Sequence, residues 1–292
     1  MSTPQTLPGA VKHQVIAGFT QAAARYDEGG TEFFKDMGCH LVELAGVKPG
    51  ADVLDAGCGK GAVTIPAACR AGDTGCVHAI DLVEPMLDAA AAQASACGLG
   101  TITATRGDAE DPPFAAGQFD VILAGYVIQL LPRPALAVQR WLALLKPGGT
   151  LGFSWGPAQD PGWVPVMAAV DAHLPPGMSR FEAFFRRPPF GGTGHVDQML
   201  TDSGYQSVGT LTCAIDTFYD SPDQWWQACR SQAPWAVAWR HIPLGRLEAA
   251  RRDAYTVLDG LAGPGGTLTR TLTFACTTAR KPARSSGLKG AP

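Results

Sequence analysis

The sequence predicts a doubly wound α/β fold: a sheet of seven strands, six parallel and the last antiparallel, with helical additions. Three observations carry this. Short apolar runs such as Val121-Ile122-Leu123-Ala124 alternate with segments of helical periodicity, the pattern of strands buried on both faces between crossover helices. The run Val53-Leu54 ends in Asp55 and opens directly into Gly57-Cys58-Gly59-Lys60-Gly61, a strand–turn–helix junction. A second run, Cys76 to Ile80, ends in another acid, Asp81, at the spacing of the strand that follows a glycine-rich turn.

Taken in order, residues 1–10 hold two prolines and no periodicity, and read as a loose arm. Apolar residues at helical spacing (Val15, Phe19, Ala22, Ala23) predict a helix from Val11 to Ala24, and a second runs from Glu32 to Ala45. Gly46 and Pro49-Gly50 end it before the first strand. The glycine turn then leads into a helix that opens near Ala62. Gly57, Gly59 and Ala62 also satisfy the loose dinucleotide pattern, so charge has to choose the ligand. Asp55 beside the turn would repel a pyrophosphate and attract an ammonium and a sulfonium. Gly61 stands where a phosphate loop needs Ser or Thr. The pattern favours S-adenosylmethionine (SAM) over NAD or ATP.

Val53-Leu54-Asp55-Ala56-Gly57-Cys58-Gly59-Lys60-Gly61 resembles the first motif of the class I SAM-dependent methyltransferases, the group that includes ubiquinone-type and other small-molecule enzymes. His78-Ala79-Ile80-Asp81, Gly107-Asp108-Ala109-Glu110 and Leu144-Leu145-Lys146-Pro147-Gly148-Gly149 follow in the family's order. The resemblance implies a Rossmann-like sheet with a helical lid and substrate insertions. It makes Asp55, Gly57 and Gly59 cofactor-binding, Asp81 the acceptor for both ribose hydroxyls, and Leu82 and Met86 the residues against the adenine. Asp108 is then the acceptor for the adenine amino group, the Ala109 N–H a donor to the ring, and Ala124 a further cofactor contact. Tyr26, with Phe19, resembles the lid aromatics near the methionine end, although packing of the lid helix explains both equally well. Glu110 reads as solvated and Asp120, at the far end of its strand, as structural.

The remaining elements follow the same logic. A helix begins near Glu84-Pro85 and ends at Cys97; a third strand runs Thr101 to Thr105 and a fourth Gln118 to Ala124. Gly125 to Leu131 then lies at the carboxyl edge, where open α/β sheets bind ligands. Tyr126 is a candidate for substrate contact there. Gln129 occupies the place where related O-methyltransferases often carry a His, and Gln cannot take a proton at neutral pH. A helix Pro134 to Leu145 and a fifth strand Thr150 to Trp155 complete the first half. Prolines and aromatics (Trp163, Phe181, Phe184, Phe185, Phe190) mark an insertion at about 156–192. A helix His195 to Ser203 and a strand Tyr205 to Ile215 come next. A second insertion at about 218–262 holds Trp225, Trp226, Trp235 and Trp239, with a helix Leu244 to Leu261. These rings either line an apolar acceptor pocket or anchor a lid helix. Thr267 to Ala279 is the antiparallel strand.

The domain plan is therefore a helical lid at 1–48, the catalytic domain at 49–280 and a flexible tail at 281–292. The expected activity is methyl transfer from SAM to O, N or C of a small, largely apolar or aromatic metabolite in bacterial secondary metabolism. The alternative is a SAM-binding cyclase or non-catalytic partner on the same fold. Methyl transfer needs alignment more than acid–base chemistry. His195 and His241 are nominated as general bases, followed by His173 and Glu182. A net charge of −3, with no long basic run, argues against nucleic acid. Eight scattered cysteines without a metal-ligand spacing fit a reducing cytoplasm. No stretch reaches the ~18 apolar residues of a membrane span, and no metal is expected. Homodimerisation is compatible with the sequence but not specified by it.

Overall fold

The computed structural model describes residues 8–26, 32–158, 160–176, 192–231 and 239–283. Phe181, Glu182, Phe184, Phe185, Phe190, Trp235 and the tail from 284 lie outside them. The chain divides into two compact units: 37–155 with 190–211 and 276–292, and 1–36 with 156–189 and 212–275.

The elements are α1 (Pro8–Ala22), α2 (Phe33–Ala45), β1 (Asp52–Ala56), α3 (Thr64–Ala71), β2 (Cys76–Asp81), α4 (Glu84–Ala96), β3 (Ile102–Arg106) and β4 (Phe119–Gly125). There follow α5 (Pro134–Leu144), β5 (Leu145–Ala158), α6 (Val164–Asp171), α7 (Thr193–Asp202), β6 (Gln206–Tyr219), α8 (Pro222–Ser231), α9 (Leu247–Asp259) and β7 (Leu268–Arg280).

The sheet has seven strands in the order β3-β2-β1-β4-β5-β7-β6. The first five are mutually parallel. Thr210 meets Thr277 and Thr217 meets the Arg270 carbonyl, so β6 and β7 run in opposite directions. At the other side of β7, Gly148 and Gly149 pair with Lys281. The apolar residues of β1 and β4 are sealed, with Val53, Leu54, Ile122 and Leu123 at 0% exposure. Opposite the carboxyl edge, Lys146 Nζ bridges Asp52 and Asp120 at 2.9 and 2.8 Å, and the Asp120 carboxylate also receives the Asp52 N–H. Asp120 is thus structural, as its position in the strand implies.

Several elements differ from the sequence expectation: α1 begins at Pro8, inside the expected loose arm, β5 runs on to Ala158, β6 to Tyr219, and α9 begins at Leu247. The first crossover helix starts at Thr64 rather than Ala62, because the glycine turn continues to Val63. The fifth strand starts at Leu145: Phe119 pairs with Leu145 and Val121 with Thr150, so Lys146-Pro147-Gly148-Gly149 forms an irregularity inside the strand. Helix α8 gives bounds to the lid-helix alternative for Trp225 and Trp226, and α6 was not expected; Pro222 at the start of α8 and the spacing of Trp225, Trp226, Ala228 and Cys229 are helix signals.

In the other unit, α6, α8, α9 and the adjoining parts of β6 and β7 enclose one core. It contains Trp163, Met167, Val170, Trp225, Trp226, Trp239, Ala254 and Leu258. Trp226 stacks on Trp239 at 4.6 Å, and Trp225 lies 6.1 Å from both Trp163 and Trp226. With Trp225 at 0%, Trp226 at 3% and Trp239 at 5% exposure, these rings fill a core and do not line an open pocket. Phe19, Tyr26 and Phe34 form a chain of ring contacts in the same unit, at 5.9 and 5.6 Å.

Candidate functional site

The parallel register brings the tips of β1, β2 and β4 to one edge, with Asp55 opposite Ala79 on one side and Leu123 on the other. Asp55 is consequently buried at 0% exposure. Its Oδ2 accepts a 2.6 Å hydrogen bond from Thr64 Oγ1 at the start of α3. Its Oδ1 is buried and has no partner. Burial pushes the carboxyl up to about 7, with the neighbouring Asp81 charge acting in the same direction and the Thr64 hydroxyl opposing. A buried anionic oxygen left over in this way is the acceptor that an ammonium would satisfy.

The turn after β1 is held from below and left open above. Gly57 and Cys58 donate their N–H groups to the Ile80 carbonyl, at 2.8 and 2.9 Å. Gly57 has φ +80, and a Cβ there would lie 2.5 Å from Val127. Gly59 has φ +53, and a Cβ there would meet nothing within 4 Å, so this backbone faces space. Its N–H points to Asp81 Oδ2 at 2.9 Å, while Val83 N–H donates to Asp81 Oδ1 at 2.9 Å. The two amides fix the carboxylate plane, and each oxygen keeps acceptor capacity for a diol. Burial raises the Asp81 carboxyl, against the pull of these N–H groups.

At the next strand tip, Asp108 Oδ1 accepts the Glu110 N–H at 2.9 Å, which shapes the loop as an Asx turn. The Ala109 carbonyl is taken by Trp141 Nε1 at 2.8 Å. Glu110 is not solvated: it is at 0% exposure and pairs in a two-point geometry with Arg133, at 3.2 and 3.1 Å. Beyond β4, Tyr126 has φ 58, unusual for a bulky residue, and its N–H donates to the buried Ser154 hydroxyl at 2.9 Å.

The sequence-predicted residues therefore separate. Asp55, Gly57, Gly59, Asp81 and half-buried Leu82 gather at adjoining strand tips. Asp108 and Ala109 stand after β3, and Tyr126 after β4. Met86 and Ala124 are buried apolar residues, at 1% and 0% exposure. His195, in the first turn of α7, and His241 are exposed. Sequence reasoning ranked His173 below them, yet it is the buried one. Its Nε2 lies 2.8 Å from Asp253 Oδ2, and its Nδ1 has no partner. That carboxylate is 80 residues away, and no local spacing announces it. Tyr26 belongs to the other unit and packs between Phe19 and Phe34.

A family model described as a methyltransferase domain matches residues 53–149, the stretch that carries all of these tips. The chain is 40% identical over 204 residues to nocamycin O-methyltransferase of Saccharothrix syringae, covering 66% of this chain and 72% of that protein. It is 38% identical over 184 residues to the aklanonic acid methyltransferase DauC of Streptomyces sp. strain C5, covering 60% of this chain and 83% of that protein. The solved structure of YcgJ from Bacillus subtilis superposes with a TM-score of 0.55 at 15% identity, over 85% of this chain and 98% of that one, a likeness of fold alone.

Proposed function

The chain belongs to the class I SAM-dependent methyltransferases, and we propose that within this family it methylates an oxygen atom of a small, largely apolar metabolite. SAM is the cofactor and bacterial secondary metabolism the setting. The observation that carries the choice of oxygen is the likeness to two small-molecule enzymes, one named an O-methyltransferase and the other named for an acid.

In this reading Asp55 Oδ1 accepts from the ammonium of SAM, and the Asp81 carboxylate, held by Gly59 and Val83, accepts from the ribose hydroxyls. The open backbone at Gly59 admits the cofactor, Leu82 and the Ala109 N–H flank the adenine, and Asp108 accepts from its amino group. SAM supplies a methyl carbon already activated by its sulfonium. The protein's share is alignment and exclusion of water. Tyr126, whose N–H donates to Ser154, meets the acceptor at the carboxyl edge in this reading. Gln129 cannot serve as a base, and the two first-nominated histidines are exposed. A carboxylate oxygen, ionised near neutral pH, would need no base, whereas a phenol or an ammonium must first lose its proton.

The eight cysteines are all free, consistent with residence in a reducing cytoplasm. No helix among the described residues is long and apolar enough to cross a membrane. The test of the reaction is incubation with labelled SAM and a panel of phenols and carboxylic acids. A product heavier by one methylene, with the label on oxygen, supports the proposal. A product of unchanged mass with SAM intact would favour a cyclase instead.

A further inference from the structure

We infer that Arg133, at the start of α5, is a positioning residue for the cofactor's base: through Glu110 it holds the loop after β3 in the shape that accepts adenine and refuses a 6-oxo purine. The inference rests on the SAM reading above and adds to it a determinant of base selectivity that does not touch the ligand. In that reading Asp108 accepts from the adenine amino group and the Ala109 N–H donates to the ring. Selectivity then depends on where two adjacent residues stand. The amino group of adenine is a donor where a 6-oxo base presents an acceptor, so the same pair of contacts favours one and opposes the other.

One isolated bridge, Asp108 to Asp111, is the only regular pairing within this loop. Each of its carbonyls is taken. That of Asp108 accepts from Asp111 N–H at 2.9 Å, that of Ala109 from Trp141 Nε1 at 2.8 Å, and that of Glu110 from Arg140 Nη1 at 3.0 Å. The last two donors stand on α5, 32 and 30 residues further along the chain. The Ala109 N–H takes part in none of these bonds. The Glu110 side chain supplies the remaining tie: at 0% exposure, it accepts from Arg133 Nε and Nη2 at 3.2 and 3.1 Å.

The place of Arg133 is itself fixed. Pro132 and Pro134 flank it, and Arg133 is kept out of the helical region at φ −134 and ψ 70. Its carbonyl accepts from Ala137 N–H at 3.1 Å, which joins it to a helix whose Ala137, Val138 and Trp141 are buried. Glu110 raises the guanidinium above its ordinary range, through its hydrogen bond and its charge, and the Asp108 and Asp111 charges add to this. The acids of the loop therefore all lie in the field of one cation. A buried ion pair adds little stability over an apolar pair of the same volume. What a two-point pair adds is direction, and here it acts on the residue next to the two that read the base.

The test is calorimetric titration of the full chain with S-adenosylhomocysteine and with S-inosylhomocysteine, which differ only in the base. Wild type is expected to bind the adenine compound about tenfold more tightly or better. Arg133→Met is expected to cut that ratio by about fivefold or more, chiefly through weaker binding of the adenine compound. Arg133→Lys, which keeps the charge and loses the fork, should fall between, and Glu110→Gln should also lower the ratio. An unchanged ratio in Arg133→Met, including an equal loss of affinity for both compounds, is what a purely structural pair gives. It would overturn the inference and leave the cofactor assignment standing. If Arg133→Met does not fold, Arg133→Lys and Glu110→Gln decide by the same ratio. A wild type that binds both compounds equally, or neither, contradicts the Asp108 and Ala109 contacts themselves and the inference with them.

Discussion

Thr64 Oγ1 donates to Asp55 Oδ2 at 2.6 Å, and the other oxygen of the same buried carboxylate has no partner. The helix after the turn thus satisfies half of Asp55 and leaves half for a ligand. The carboxyl is held at about 7 by its burial.

The first prediction is a pH dependence. Between pH ~4 and ~7 the folded chain binds a proton at Asp55 that the unfolded chain has lost, so stability falls as pH rises through this window. The contribution is roughly 4 kcal/mol at most. Binding of a cation requires the ionised form, so SAM affinity is expected to rise about tenfold from pH 6 to pH 8, with proton release near pH 7. Calorimetry in buffers of different ionisation enthalpy measures both. Asp55→Asn should flatten the profile; an unchanged pH slope in that variant removes the role assigned to Asp55.

Asp81→Ala is expected to weaken binding of SAM and S-adenosylhomocysteine by tenfold or more. Hydrogen bonds to a charged acceptor contribute about 1.5–3 kcal/mol each, and the variant also frees the Gly59 and Val83 amides. Asp81→Asn, which keeps one carbonyl acceptor, should lose less. Equal affinity in wild type and Asp81→Ala would sink the ribose assignment.

How far these residues were legible in the sequence depends on how local their partners are. Asp55, Gly59 and Asp81 were readable because chain spacing sets strand tips and the turn between them. Glu110 was misread as solvated, because Arg133 lies 23 residues away and meets it only once α5 is docked. Asp120 was placed correctly from its position in the strand alone. The tryptophans were undecided because clustered rings fit a pocket or a core equally well until α6, α8 and α9 are seen to close around them.

The Tyr126 corner gives a stability prediction. Ser154→Ala removes the acceptor of the Tyr126 N–H in a fully buried position, at an expected cost of about 1–3 kcal/mol in urea unfolding. Tyr126→Gly relieves a positive φ and is expected to hold or raise stability while lowering transfer to the acceptor. A Tyr126→Gly variant with unchanged transfer would show that the side chain does not meet the acceptor.

Trp225→Ala separates the two readings of the tryptophan cluster. As a core residue at 0% exposure, its truncation should destabilise the fold by about 3–5 kcal/mol. Unchanged unfolding together with loss of acceptor binding would restore the pocket reading.

The most direct measurement of the proposed chemistry uses SAM labelled with carbon-13 in its methyl group and a panel of phenolic and carboxylic acid acceptors. The carbon-13 resonance of the product distinguishes methyl on oxygen, nitrogen and carbon. The expected result is a single O-methyl resonance, formed with one equivalent of S-adenosylhomocysteine and reduced in Asp81→Ala at limiting SAM. A labelled methyl found on nitrogen or carbon, or an acceptor converted while SAM stays intact, would contradict it.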